Sequence, residues 1–279
     1  MSRCSSSGEN PPDLTNGQLI ADNHVHSQWS WDAAHGSMEE SCRRAIELGL
    51  PLIAFTEHAD WVRGPDAVFD VDEYFDSIER CRAAYPGLRI LFGVELGEPH
   101  RYPEAARVLL SAPFDRVLGS VHCVDWKGKA VDASEPGFLT PANVSDIFHL
   151  YLREVLALIE SDQDFQVLAH LDYPKRYWPT GAAYAEAPFE EEIRSVLRAA
   201  ALRGIALEVN TTRGDDPVRF LCPGQVVLGW WREEGGRAIS FGSDAHSPEH
   251  LAAGFDLARE LATAAGFRPQ GDPLAFWVR

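Results

Sequence analysis

Short apolar segments alternate with longer amphipathic segments along this chain of 279 residues, and groups of histidine and carboxylate residues follow the short segments. The first short segment ends in His24-Val25-His26, and the last is followed by Asp244-Ala245-His246. Strands that alternate with helices are typical of a parallel sheet with right-handed crossovers. Because the carboxyl ends of the strands in a β/α barrel meet at one rim, these polar groups should converge there. The sequence therefore predicts a β/α barrel with a centre of metal-ligand residues at its rim.

Seven strand–helix units are visible, and no low-complexity linker separates them. The predicted strands are residues 18–26, 51–55, 89–96, 115–122, 165–170, 205–210 and 237–243. The predicted helices are residues 37–48, 70–84, 103–110, 142–161, 189–203, 223–234 and 248–265. Irregular insertions are expected at 123–140 and 173–188, and the tail at 267–279 should add an edge strand or cover the floor of the barrel. These units favour one closed α/β barrel over residues 18–279, after a disordered lead at 1–17.

Charge and cysteine usage exclude several classes of partner and compartment. The formal net charge is −17, whereas nucleic acids and anionic membranes are bound through lysine and arginine. No apolar segment approaches the ~18 residues that a membrane-spanning helix needs, and the N-terminus lacks the apolar core of a signal peptide. The five cysteines are odd in number and scattered, which is typical of a reducing cytosol. We therefore expect a cytoplasmic protein whose partner is neither a nucleic acid nor a membrane.

Six of the ten histidines lie at the ends of predicted strands, as do several carboxylates. His24 and His26 are two residues apart on one strand, so their side chains share a face and can grip one divalent ion. The same spacing recurs in Asp244-Ala245-His246 and in His170-Leu171-Asp172. With Glu95, His58 and His122, the set holds more ligands than one ion uses. A site of histidine and carboxylate without thiolate suits two or three ions of zinc, manganese or iron(II).

Two further positions extend this set of candidates. The loop at 27–36 offers Asp32 and His35, of which Asp32 is the expected ligand. Glu57 and His58 are adjacent and therefore point to opposite sides of a strand. We expect His58 to bind metal, and Glu57 to support a ligand imidazole from outside the metal shell.

These residues resemble the PHP family, named for its polymerase and histidinol phosphatase members. The matching motifs are His-Val-His-Ser at 24–27, Thr-Glu-His at 56–58, Gly-Val-Glu at 93–95, Gly-Ser-Val-His at 119–122, Ala-His-Leu-Asp at 169–172 and Gly-Ser-Asp-Ala-His at 242–246. Within the family, the segments at 95–100, 170–176 and 208–213 are most similar to histidinol phosphatases. The chain departs from many members at Glu57, where they carry aspartate, and at Asp32, where they carry histidine.

The resemblance implies a distorted (β/α)7 barrel, a TIM-like fold, with a trinuclear metal site. The ligands that it nominates are His24, His26, Asp32, His58, Glu95, His122, His170, Asp244 and His246. It also implies hydrolysis of a small phosphomonoester, L-histidinol phosphate in histidine biosynthesis, with metal ions that activate the attacking water.

Substrate contacts are expected on the same rim. By resemblance, Arg176 and Arg213 are phosphate-binding residues that act in catalysis, and arginine suits phosphoryl oxygens because it bonds them in pairs. Lys175 and His100 are further candidates for substrate binding. The leaving alkoxide needs a proton or a metal, and the sequence does not choose among Asp244, His246 and a metal-bound water. Aromatic residues that can wall an imidazole-bearing substrate are Trp29, Trp31, Trp61, Tyr177 and Trp178.

Three other functions compete with this one. The first is hydrolysis of a different small phosphorylated metabolite by the same scaffold. The second is a metal-dependent amide or lactam hydrolase of the amidohydrolase kind, which also begins with His-x-His but typically places a bridging lysine where this chain has His122. The third is a non-catalytic metal-binding protein that keeps the fold. Phosphatase activity on simple phosphomonoesters with added metal discriminates among them.

Overall fold

A computed structural model describes residues 20–212 and 221–279 of the chain. The strands are β1 (Asp22–Val25), β2 (Leu52–Ala59), β3 (Arg89–Gly97), β4 (Arg116–Ser120), β5 (Cys123–Trp126), β6 (Lys129–Asp132), β7 (Val167–Leu168), β8 (Ala206–Asn210), β9 (Ala238–Gly242) and β10 (Trp277–Val278). The helices are α1 (Met38–Glu47), α2 (Val71–Ala84), α3 (Pro103–Leu109), α4 (Val144–Glu160), α5 (Glu190–Arg203), α6 (Gln225–Glu233) and α7 (Phe255–Ala264).

Eight of the strands form one curled sheet in the order β1-β2-β3-β4-β7-β8-β9-β10. Neighbouring strands from β1 to β9 are parallel, and β10 is antiparallel to β9. The two edges of the parallel part meet beyond the end of β9, where the His26 N–H donates to the Ala245 carbonyl at 2.9 Å and the Asp244 N–H donates to the His24 carbonyl at 2.8 Å. The α/β architecture with a curled, mostly parallel sheet is therefore confirmed, but it does not follow a strict (β/α)7 count.

The strand-to-strand register explains why the site lies at one rim. In β2 and β3, His58 is the partner of Glu95, and pairing continues to Ala59 and Leu96. The sequence predicted that the second strand ends at residue 55, which is wrong because Thr56 to Ala59 remain hydrogen-bonded although they are largely polar. A hydrophobicity pattern does not show where a buried strand ends when its last residues are polar. Here those polar residues include the candidate ligand His58.

The sequence predicts an irregular insertion at 123–140, but this segment contains a β-hairpin. β5 and β6 pair antiparallel, with Cys123 opposite Asp132 and Trp126 opposite Lys129. The two residues between the strands, Lys127 and Gly128, both have positive φ angles of 56° and 79°, which is the geometry of a two-residue hairpin turn. Lysine at the first turn position gives little sequence signal, so the hairpin was missed.

The last predicted helix, at 248–265, is also interrupted. A short 3₁₀ helix occupies Pro248–His250, and α7 begins at Phe255. Between them Ala252 and Gly254 have φ angles of 54° and 75°, which an α-helix cannot contain. The correction is that only the second half of this segment is α-helical.

The C-terminal tail closes the lower end of the sheet, and both alternatives predicted for it occur. β10 extends the sheet as an edge strand, while Phe276 packs against a small cluster inside the curled sheet that includes Leu118 and Ala206. Leu274 packs in the same way against a cluster that includes Leu52 and Leu91. The outer layer of helices packs on the large core that fills the space between sheet and helices.

Two further predictions, on membrane-spanning helices and on the cysteines, can be compared with the structure. Within residues 20–212 and 221–279, no helix is both long enough and apolar enough to span a bilayer. The four cysteines in the described ranges, Cys42, Cys81, Cys123 and Cys222, are buried and are not joined in disulfides with one another.

Candidate metal centre

Glu95 lies at the centre of the polar cluster on the sheet rim. It is fully buried in β3, and its carboxylate oxygens lie within 3.3 Å of ring nitrogens from five histidines. These histidines are His24 (3.1 Å), His26 (3.3 Å), His58 (3.2 Å), His122 (3.3 Å) and His170 (2.8 Å). A carboxylate with this many imidazoles around both oxygens is placed to bridge neighbouring cations.

The remaining predicted ligands complete the cluster on its outer side. Asp244 Oδ1 lies 3.3 Å from His26 Nε2. Asp32 Oδ2 lies 3.1 Å from His246 Nε2, and Asp32 Oδ1 lies 3.6 Å from His58 Nε2. The structure thus brings all nine predicted ligands into one continuous cluster, and their roles as ligands stay predictions.

Several groups of three residues present ligand atoms close enough to hold an ion. These groups are His24, His26 and Asp244; His24, Glu95 and His170; His26, His58 and His246; and His58, Asp60 and His122. Because the four groups together contain nine residues and overlap only in His24, His26 and His58, the arrangement suits more than one ion.

Asp60 and Glu208 belong to the cluster but were missed by the sequence analysis. Asp60 is 1% exposed, and its carboxylate lies 3.5 Å from His58 Nδ1 and 3.6 Å from His122 Nδ1. His58-Ala59-Asp60 repeats the two-residue spacing of the other ligand pairs, and this signal would have revealed Asp60 had the strand been extended. Glu208 carried no such signal, because its contact with His24 joins residues 184 positions apart.

Hydrogen bonds on the outer side of the rings show which nitrogens face inward. His24 Nδ1 lies 2.7 Å from Glu208 Oε1, and His246 Nδ1 lies 2.9 Å from the carbonyl oxygen of Asp244. A carbonyl oxygen only accepts, so His246 Nδ1 donates, and Nε2 is the ring nitrogen that faces Asp32 and the cluster. Ligand histidines generally bond outward in this way, which fixes the tautomer and the ring orientation.

The charges within the cluster are strongly coupled. Burial lowers the pKa of His24, but the carboxylates of Glu208, Glu95 and Asp244 outweigh burial and raise that pKa well above its ordinary value. Burial lowers the pKa of His26 too, yet hydrogen bonds to Asp244 and Glu95 raise it to about 9. The buried carboxylates therefore create a centre that strongly favours positive charge.

The carboxylates respond in the complementary direction. Burial alone raises the pKa of Glu95, but the positive charges of the neighbouring histidines hold it well below its ordinary range. Asp244 behaves in the same way, with His24 and Arg176 as the main opposing charges. Both side chains are consequently ionised at neutral pH.

The residues present fit divalent metal ions. The Nε2 atoms of His24 and His26 are only 3.1 Å apart, a contact between two ring nitrogens that a cation stabilises. Three buried atoms, His58 Nδ1, His170 Nδ1 and Asp60 Oδ1, have no hydrogen-bond partner among the described residues, which is costly in a protein interior. The donors are imidazole nitrogens and carboxylate oxygens, a set that zinc, manganese and iron(II) accept.

A cavity of about 430 Å³ opens above the cluster, a volume suited to a small metabolite. Asp32, His58, His122, Asp244 and His246 form its metal-ligand side. Trp31 and Tyr177 lie in its wall and are 44% and 40% exposed, so two of the five predicted aromatic residues meet the cavity. The rest of the wall includes Arg63, Asp132 and Tyr173.

Arg176 is the predicted phosphate-binding residue that the structure places in the cavity wall. Its Nη1 donates to Asp244 Oδ2 at 2.8 Å, and its Nη2 donates to Asn210 Oδ1 at 2.6 Å. Asn210 was not predicted as a site residue. The second predicted phosphate-binding residue, Arg213, lies outside the described residues.

Lys175 and His100, the other predicted substrate contacts, do not line the cavity. Lys175 is 1% exposed; its ammonium lies 2.7 Å from Asp172 and donates to the carbonyl of Leu221. His100 Nε2 lies 2.6 Å from Glu154 Oε1. Both side chains bond other parts of the molecule, and their roles in substrate binding stay predictions.

Comparisons with known proteins agree with this geometry. The family model described as the PHP domain matches residues 22–212. A histidinol-phosphatase of Lactococcus lactis is 32% identical over 254 residues, which cover 88% of this chain and 91% of the relative. A probable histidinol-phosphatase of Clostridium acetobutylicum is 28% identical, with coverage of 90% and 96%. A crystal structure of histidinol phosphate phosphatase from Lactococcus lactis, complexed with zinc, L-histidinol and phosphate, has a TM-score of 0.79 at 28% identity and covers 92% of this chain and 98% of that chain.

Proposed function

The chain belongs to the PHP domain family, and from this premise we propose that it is a metal-dependent phosphomonoesterase that converts L-histidinol phosphate to L-histidinol and phosphate. One observation carries the proposal: a cluster of histidine and carboxylate ligands lies directly beneath a cavity whose wall holds the buried Arg176. The named substrate is supported by the Lactococcus lactis relatives, whose activity and bound molecules are histidinol phosphate hydrolysis, L-histidinol and phosphate.

We propose two or three divalent ions, held by His24, His26, Asp32, His58, Glu95, His122, His170, Asp244 and His246. Zinc is supported by the related crystal structure, and the donor set also suits manganese or iron. When bound, the ions supply Lewis acidity that activates water for attack on phosphorus and neutralises charge on the phosphoryl oxygens.

The chain's own residues have separate tasks in this proposal. Arg176 presents a guanidinium to the phosphoryl oxygens, while Asp244 and Asn210 hold it in place. Arg213 is proposed as a second phosphate contact. Hydrolysis adds water across the P–O bond, so the leaving alkoxide must gain a proton. Asp244 and His246 both line the cavity and are the proposed side chains for that transfer; because Asp244 is ionised, it would first take up the proton that the attacking water releases.

The setting of the enzyme is part of the proposal. We propose that residues 18–279 form one domain of the distorted (β/α)7 type, and that the protein works in the cytoplasm. The described cysteines are buried and form no disulfide with one another, which supports a reducing compartment.

The test is phosphate release from L-histidinol phosphate by metal-loaded protein, measured beside a panel of sugar and nucleotide monophosphates. We expect a kcat/KM for histidinol phosphate above ~10⁴ M⁻¹s⁻¹ and well above that for the panel. Weak, equal activity on all substrates would remove the named substrate but keep the phosphoesterase. Absence of activity with zinc, manganese and iron alike would overturn the proposal.

A further inference from the structure

The hydroxyl group of Ser30 occupies an unusual position between the first two strands of the sheet. Ser30 is 6% exposed in the loop after β1. Its Oγ donates to Glu57 Oε2 at 2.7 Å, accepts from the backbone N–H of His58 at 3.1 Å, and lies 2.9 Å from Nδ1 of His26. One buried hydroxyl thus contacts two of the predicted metal ligands, one through its ring and the other through its backbone.

The Ser30 hydroxyl has a single proton, and this fixes the direction of its hydrogen bond with Nδ1 of His26. A serine hydroxyl has one proton to donate and two lone pairs to accept with. The proton goes to the carboxylate of Glu57, which also accepts from the N–H of Ser27 at 3.0 Å and from the Ser27 hydroxyl at 2.6 Å. Ser30 can therefore only accept from His26, and so Nδ1 of His26 must carry a proton and donate.

With Nδ1 as the donor to Ser30, Nε2 on the side of the cluster is the nitrogen that an ion would bind. Nε2 of His26 lies 3.1 Å from His24 Nε2 and 3.3 Å from both Glu95 Oε2 and Asp244 Oδ1. A metal ion bound at Nε2 leaves the hydrogen bond from Nδ1 to Ser30 intact.

We propose that Ser30 is a positioning residue that holds His26 in the Nδ1–H tautomer and ties it to the backbone of His58, so that both histidines are set for metal binding. The proposal rests on the proposed metal-dependent function, because it assumes that the cluster binds ions. It also gives Glu57 a specific role: Glu57 acts on the metal ligand through Ser30, by accepting the only hydroxyl proton.

The arrangement of the loop supports this role. Ser27 and Ser30 both bond Glu57, so the loop after β1 is fastened to β2 at two points. The same loop carries Asp32, whose carboxylate lies next to His246 and His58. Ser30 therefore acts on the cluster in two ways. It orients the ring of His26, and it fixes the loop that carries the predicted ligand Asp32.

The chain offers a matched control for the loss of a buried serine hydroxyl. Ser41 in α1 is 1% exposed, and within residues 20–212 and 221–279 its Oγ has no hydrogen-bond partner. Ser30→Ala and Ser41→Ala remove the same atom from a buried position, but only the first removes a contact to a predicted metal ligand. Ser30→Thr keeps the hydroxyl and serves as the conservative variant.

The experiment measures zinc affinity by competition with a chromophoric chelator, for the full-length wild type and these three variants. Ser30→Ala should bind zinc about 10- to 100-fold more weakly, the usual effect of losing an outer hydrogen bond to a ligand histidine. Ser30→Thr should restore most of the affinity, and Ser41→Ala should match the wild type. Equal zinc affinity in Ser30→Ala and Ser41→Ala would overturn the proposal.

A second measurement needs no variant and so remains decisive should Ser30→Ala fail to fold. In zinc-loaded wild type labelled with ¹⁵N-histidine, long-range NMR correlations should place the His26 proton on Nδ1 and the zinc on Nε2. A proton on Nε2 would refute the proposed tautomer. Neither readout involves a substrate, so failure to hydrolyse histidinol phosphate would remove the proposed function alone.

Discussion

At the scale of single residues, Arg176 is the side chain that joins the ligand cluster to the cavity. Its two terminal nitrogens donate to Asp244 and to Asn210, so its plane is fixed before any substrate arrives. Burial lowers the pKa of Arg176, but the negative charge of Asp244 outweighs burial and keeps the pKa of Arg176 above its ordinary value. A permanent positive charge held rigidly beside the ligands is suited to a phosphoryl group, whose oxygens accept paired hydrogen bonds.

Arg176→Lys tests this geometry while it keeps the charge. A lysine ammonium cannot donate to both Asp244 and Asn210 in the plane of a guanidinium, so substrate and transition state should both be bound less well. We expect kcat/KM for histidinol phosphate to fall about 10- to 100-fold, or ~1.4–2.8 kcal/mol. Arg259→Lys, which alters a half-buried surface arginine paired with Asp256, is the control and should leave kcat/KM unchanged. An unchanged kcat and KM in Arg176→Lys would show that the paired hydrogen bonds of the guanidinium have no part in the reaction.

At the scale of elements, the site depends on the meeting of β1 with the segment after β9. The buried Asp22 in β1 accepts from the Ser243 N–H at 2.9 Å, from the Ser243 hydroxyl at 2.6 Å and from the Ala252 N–H at 3.0 Å. These bonds hold together the two edges that carry His24 and Asp244. The Asp22 carboxylate thus accepts from three donors in the segment after β9. These bonds help to hold together the ligands from the two ends of the chain.

Asp22→Ala should lower the free energy of unfolding by about 3 kcal/mol, because it leaves buried donors without their charged acceptor. Denaturant unfolding of wild type and variant at equal zinc concentration measures this difference. A difference below ~0.5 kcal/mol, the range of neutral surface changes, would show that Asp22 does not hold the edges together.

The difference in unfolding free energy between wild type and Asp22→Ala should change with pH, in a direction set by the pKa of Asp22. Burial raises the pKa of Asp22 from 3.8 to about 6, although hydrogen bonds from Ser243 and Ala252 oppose the rise. Between these two pH values the folded state binds a proton that the unfolded state releases, so this side chain stabilises the fold less as the pH rises. The difference in unfolding free energy between wild type and Asp22→Ala should therefore shrink from pH 4 to pH 7. A difference that grows over this range would contradict the raised pKa.

At the scale of the whole molecule, a chain of net charge −17 is proposed to act on an anionic substrate. The proposal is consistent because local charge decides binding: ions held by the cluster and the guanidinium of Arg176 would dominate the field in the cavity. Most carboxylates lie elsewhere on the surface, where water screens them.

The parts of this account that the sequence could predict are those with a short-range pattern. Strand–helix alternation and two-residue spacing of ligands predicted the α/β architecture and most residues of the cluster, because strand ends in a parallel sheet meet at one rim. The hairpin at β5 and β6, the contact of Glu208 with His24, and the inward-facing position of Lys175 could not be predicted. Each depends on side chains that are brought together from distant parts of the chain, or on a backbone conformation that its residue types do not specify.

The most direct test of the central claim is a metal titration of the stripped protein. Zinc is added stepwise to chelator-treated, dialysed wild type, and phosphate release from L-histidinol phosphate is followed together with the number of ions bound per chain. The account predicts no activity without metal and full activity once two or three ions are bound per chain, with neither binding nor activity in the double variant His24→Ala, Asp244→Ala. Undiminished hydrolysis by the stripped chain would contradict it.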